Sequence, residues 1–164
     1  MYLTLTDIVL LTSIIQSLAL AVFLLLPSNS GLISNRLLVA TLVFFAAGLG
    51  EIFLYGSGLA LQYPNFAYLG TLIGLLQAGS LYLYAQSLMY QNFQLRGKHL
   101  VHTLLFWVVG AIFLIEYYLQ PSETKVQILL ERDHPGVLTS PILAVAIHAV
   151  FLGYLCTTIH AINR

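Results

Sequence analysis

The chain has 164 residues, 59% hydrophobic and 7% charged, with six basic and six acidic residues that give zero formal net charge. An ordinary soluble domain carries about 25% charged residues, so the composition excludes that class. No basic excess is present to act as a footprint for nucleic acid. The single cysteine, Cys156, excludes an intrachain disulfide and reads as a small packing residue in an apolar run.

Five apolar stretches fill the chain, at about residues 3–26, 37–62, 67–90, 100–119 and 140–162. Each reaches the roughly 20 residues that carry a helix across a ~30 Å hydrocarbon core. In lipid the backbone must satisfy its own hydrogen bonds, so a span is a helix or a barrel strand. Barrel strands run about 9–11 residues and alternate in polarity; these stretches are twice as long and do not alternate. The expected fold is all-α, a polytopic membrane protein made of a single bundle of five transmembrane helices. The first stretch has no Lys or Arg ahead of it. It also exceeds the roughly 7–15 residue apolar core of a signal peptide, so it reads as a retained span.

The first helix carries Gln16 and is expected to end at Pro27 to Gly31. Ser34 and Asn35 are N-cap candidates for the second, which carries Glu51 and leads into a tight connector at Tyr63-Pro64-Asn65. The third helix carries Gln77 and a stripe of small residues, Gly70, Gly74 and Ala78, with Gly79 and Ser80 beside it. Such a stripe lets helix backbones approach closely. It is expected to pack within the bundle, with a homodimer contact as the alternative, and Gly74→Leu is expected to disrupt more than Leu75→Ala. The segment Gln91 to Lys98, with Gly97 suited to a turn, links to the fourth helix, which carries Glu116 near its far end and stops before Pro121. In the long connector at about 120–139, the apolar run Val126 to Leu130 is flanked by charge. It reads first as an ordered loop over the helix ends, and second as a short interfacial helix or strand. Ser140-Pro141 reads as N-cap and first turn of the fifth helix, which carries His148. Most tyrosines near helix ends, and His99, His102 and His160, are expected at headgroup level.

Arg36, Arg96, Lys98 and Arg164 fall on one face of this topology with no acidic residue. The opposite face holds Lys125 and Arg132 against Glu123, Glu131 and Asp133. Basic connectors stay inside, which puts the N-terminus outside and the C-terminus in the cytoplasm.

Gln16, Glu51, Gln77 and His148 each fall roughly 12–17 Å below the outer edge at the helical rise. Polar groups at such depth are costly and must be paired. They read as interhelical glue in the first place, and as a polar pocket or relay centred on Glu51, with His148 as its charge partner, in the second. No nucleophile, phosphate-loop or zinc-protease motif is present, and no metal-ligand spacing. Neither enzymatic activity nor a cofactor nor a metal is expected.

Residues 75–115 contain Leu75-Leu76-Gln77-Ala78-Gly79-Ser80-Leu81-Tyr82-Leu83-Tyr84-Ala85-Gln86-Ser87-Leu88. A basic turn follows, Leu95-Arg96-Gly97-Lys98-His99-Leu100-Val101-His102, and then an aromatic-rich helix. This pattern resembles the N-terminal membrane region of membrane-bound AraC-type transcriptional regulators, and Gln16 and Asn35-Arg36-Leu37-Leu38 fit it as well. Gly79-Ser80 stands where that family has Gly-Pro, and Leu105-Phe106 where it has Pro-Phe. The resemblance implies a sensory domain in the bacterial inner membrane that signals to a cytoplasmic helix-turn-helix domain lying outside this chain. The segment itself would contact the lipid bilayer and a ligand of unknown identity, and would not bind nucleic acid directly. A small transporter or channel subunit using Glu51 and His148, or a structural membrane subunit, are the competing readings.

Overall fold

The computed structural model describes residues 4–26, 32–131 and 141–162, which are helical with short connections and, among the described residues, contain no strand. The described residues form seven α-helices, in order α1 Leu5–Leu25, α2 Ile33–Gly56, α3 Leu59–Gln62, α4 Leu69–Met89, α5 Leu104–Phe113, α6 Ser122–Leu130 and α7 Pro141–Ile162. Among the described residues four segments are long and apolar enough to cross a membrane: Leu5–Leu25, Ile33–Gly56, Pro64–Met89 and Gly97–Tyr118. Within α7 the apolar stretch Ala144–His160 is shorter.

Helix α4 is the hub, packed on by α2, α5 and α7, while α1 packs on α2. Contacts fix the directions. Thr41 meets Ser80 and Glu51 meets Thr71, so α2 and α4 are antiparallel. Gly79 lies against His102 and Leu72 against Gly110, so α5 is antiparallel to α4 as well. Tyr82 faces Tyr154, and Leu75 shares a cluster with Ile147 and Phe151, so α7 runs parallel to α4. The core between α4 and α5 consists of Leu72, Leu75, Val109 and Phe113.

Several boundaries differ from the sequence reading. Helix α1 begins with a reciprocal cap: the Thr4 hydroxyl accepts the Asp7 N–H, and the Asp7 carboxylate accepts the Thr4 N–H at 2.8 Å. Helix α2 starts at Ile33 with Leu32 at the cap, so Ser34 and Asn35 lie inside it and do not cap it. It stops at Gly56 because Gly58 turns into the left-handed region at φ 75°, and the stretch expected to continue it forms α3. The fourth span opens as a 3₁₀ turn, Gly97–Thr103, and closes as a π turn, Leu114–Tyr118. The π turn lets adjacent tyrosines reach one connector: Tyr117 donates to the Pro64 carbonyl at 2.7 Å, and Tyr118 to the Ala67 carbonyl at 2.9 Å. The apolar run at Val126 to Leu130 belongs to a helix, α6, that lies over α3 and the Pro64–Phe66 turn, so it covers the helix ends while being helical. Its buried Lys125 donates to Asn65 Oδ1 at 2.8 Å and sits 5.9 Å from the Tyr117 ring centroid. The expected stop at Pro27 to Gly31 and the cap at Ser140 lie outside the described residues.

Candidate functional site

The α2–α4 seam and the parallel placement of α7 leave a cleft of about 460 Å³ on one face of α4. Its walls are Phe45, Leu49, Ile52 and Tyr55 from α2 and Ile147, His148 and Phe151 from α7, and its floor is Thr71, Gly74, Leu75 and Gln77 from α4. Two glycines keep it wide: a Cβ added at Gly48 or Gly74 would meet nothing within 4 Å.

Glu51 is 8% exposed and reaches across the seam from α2 to the first turn of α4. One carboxylate oxygen accepts the Thr71 backbone N–H and the other accepts the Thr71 hydroxyl at 2.7 Å. The first N–H groups of a helix have no partner within it, and in lipid no water replaces one. Tyr68, at the cap of α4, makes no side-chain cap bond. Glu51 therefore serves as a cap donated from the neighbouring helix, placed where the helix dipole favours negative charge. Tyr68 holds φ at 65°, unusual for a side chain of its size. This turn places its ring edge-on to Tyr55, Phe113 and Tyr117, with centroids 6.1, 5.3 and 4.9 Å away.

The four expected polar residues are only partly brought together. Glu51, Gln77 and His148 line the cleft. Gln16 is exposed on α1, away from it. The hydrogen-bond partner of Glu51 is Thr71, in place of Gln16, Gln77 or His148. His148 uses Nδ1 on the Ala144 carbonyl of its own helix at 2.7 Å. The common depth is also corrected. Glu51 lies five residues from the end of α2, roughly 8 Å in, because α2 ends at Gly56. Gln77 is six residues beyond Thr71 on α4, about 9 Å further along the cleft.

The small-residue stripe divides likewise. At Gly70 a Cβ would fall against the Ala47 carbonyl oxygen and 2.6 Å from Glu51 Cβ, so this glycine makes the close helix contact. Ala78 is buried. Gly74 faces the open cleft, so the expectation that a larger residue there would force helices apart does not hold. Gly79 makes a second close approach, where a Cβ would lie 2.9 Å from His102 Cβ.

Three polar contacts join the helices through residues to which the sequence reading gave no such role. One is Thr71 itself. A second is the Thr41 and Ser80 hydroxyl pair, 2.9 Å apart and buried in the α2–α4 seam. The third is His102, expected at headgroup level. Its Nδ1 lies 2.7 Å from the Tyr154 hydroxyl, which ties the 3₁₀ turn to α7 beside Tyr82. Thr4-x-x-Asp7 was a signal of a recognised kind; Thr71, Ser80 and Thr41 carried none for their pairings. Of the basic residues, Arg36 sits in the first turn of α2, and Arg96 and Lys98 are exposed in the α4–α5 connection, at the same end of the bundle; Arg164 lies outside the described residues. Among the described residues no cluster of His, Cys, Asp and Glu could hold a metal ion.

Comparison with protein-family models, curated proteins and solved structures finds no match for this chain.

Proposed function

We propose that the chain is a multi-pass membrane domain that senses a small apolar or amphiphilic molecule in the α2–α4–α7 cleft and signals to a cytoplasmic output domain. In this reading α7 is the fifth span, the N-terminus is outside, and the end bearing Arg36, Arg96 and Lys98 is cytoplasmic. The observation that carries it is the cleft: about 460 Å³, largely apolar, kept open by Gly48 and Gly74, and with a few polar groups placed along it. The resemblance of residues 75–115 to the membrane region of AraC-type regulators supports transcription as the output.

Filling the cleft tests the proposal. Gly74→Leu projects into open space and should preserve the fold while abolishing saturable binding of 1-dodecanol to the chain in lipid nanodiscs. Undiminished binding in that variant would remove the cleft as the site. Labelling of Gln94→Cys and Ser122→Cys in a Cys156→Ala background tests the orientation. Ser122→Cys should react from outside intact cells, and the reverse pattern would invert the topology.

A transport role is favoured by one observation. Glu51 also borders a second hollow of about 320 Å³ on the other side of the seam, lined by Ala47, Gly50, Phe53 and Ile73, so the residue stands between two hollows.

A further inference from the structure

We infer that the cleft takes an amphiphile with a primary amine head, its ammonium seated at Glu51 and its chain lying over Gly74 between α2 and α7. This rests on the reading of the cleft as a ligand site and adds the chemical class of the ligand.

The lining contains a carboxylate and no Lys or Arg. Glu51 is 8% exposed, so its carboxyl group is held out of bulk water. A carboxylate offers about four lone-pair sites, and Thr71 uses two of them through its N–H and its hydroxyl. Acceptor capacity therefore remains at a group that borders the cavity. An ammonium brings three donors and the opposite charge, and such charge-assisted hydrogen bonds are about twice as strong as neutral ones. Tyr55, also on the lining, adds an aromatic ring at the Glu51 end of the cleft, a surface that attracts cations. A fatty acid would instead place a second carboxylate beside the first, which like-charge repulsion disfavours. An alcohol can donate one hydrogen bond and brings no charge. Beyond Glu51 the floor is Gly74 and Leu75, with Phe45 and Phe151 on the walls, a surface suited to methylene groups.

The test uses the full chain in lipid nanodiscs, with radiolabelled dodecylamine, 1-dodecanol and dodecanoate as probes of equal chain length and empty discs as background. Dodecylamine should bind roughly tenfold more tightly than 1-dodecanol, and dodecanoate should not saturate. Glu51→Gln should remove the preference for dodecylamine over 1-dodecanol, with circular dichroism and the size-exclusion profile of the discs reporting that the variant is folded; a roughly tenfold preference retained in the folded variant would overturn the inference. Equal affinity for amine and alcohol in the parent chain, or tighter binding of dodecanoate, would overturn the inference whether or not Glu51→Gln folds. The cleft reading would survive that outcome as long as Gly74→Leu removes alcohol binding. If Gly74→Leu leaves the binding of every probe intact, both readings fall.

Discussion

A single methyl group placed at two positions of the same helix should have opposite consequences. At Gly70 the added Cβ would lie against the Ala47 carbonyl oxygen, 2.6 Å from Glu51 Cβ and 2.9 Å from Glu51 Oε2. Carbon atoms pack at about 3.5–4.0 Å, so α2 and α4 must separate or Glu51 must move. Forced overpacking costs about 1–3 kcal/mol. Displacing Glu51 also loosens its two bonds to Thr71, each worth about 0.5–1.5 kcal/mol. Replacing a helical glycine returns about 0.5–1 kcal/mol, which leaves Gly70→Ala destabilised by about 1–5 kcal/mol. At Gly74 the same methyl meets nothing within 4 Å, so only the helix gain of about 0.5–1 kcal/mol applies. Reversible unfolding in mixed micelles containing SDS, followed by fluorescence of Trp107, the only tryptophan, measures both variants. Equal stability of the two, or Gly74→Ala as the weaker, would refute the assignment of Gly70 to the helix contact.

Other substitutions probe the remaining contacts. Glu51→Leu strips the cap from the first turn of α4 and should cost about 1–3 kcal/mol, whereas Thr71→Ser, which keeps both donors, should stay within about 0.5 kcal/mol of the parent; equal losses in the same unfolding assay would speak against a cap. Tyr154→Phe removes the hydroxyl facing His102 and should cost about 0.5–1.5 kcal/mol, an effect that disappears in a His102→Ala background if the two groups act as a pair. Lys125→Met removes the bond to Asn65 and should speed amide exchange across Ser122–Leu130 while leaving Leu69–Met89 protected; unchanged exchange in α6 would mean that Lys125 does not anchor it.

The all-helical fold, with four helical segments long and apolar enough to cross a membrane among the described residues, could be read directly from the apolar runs, because length and lack of alternation leave few other solutions in lipid. Glu51 stood out for a physical reason, its cost in that environment, and Gln77 and His148 joined it on the cleft by the same logic. The pairing was harder. Thr71 looks like any threonine near a helix start, and only the antiparallel register of α2 and α4 sets it opposite Glu51. The stripe failed at one member because residues four apart are rotated by about 40° on a helix of 3.6 residues per turn. Gly70, Gly74 and Ala78 thus fan out from the α2 contact and cannot all face it. The end of the second helix was placed too far along because the apolar run through residue 62 hides the turn at Gly58, where the hydrophobic pattern continues although the helix does not.

The role of α4 as hub bears on biosynthesis. Helices α1 and α2 can pair as soon as the second leaves the ribosome, and α4, next in line, docks on α2 through Gly70, Glu51 and Thr71. Helix α5 then docks on the α4 already in place, and each step joins neighbours in the order of synthesis. The cleft follows a different timetable. Its second wall is α7, which emerges after the other described helices, so a nascent chain halted after α6 would carry the Glu51 cap complete and the floor at Gly74 uncovered. The cleft therefore has both of its walls only once α7 has been made, later than the helix contacts that frame its floor.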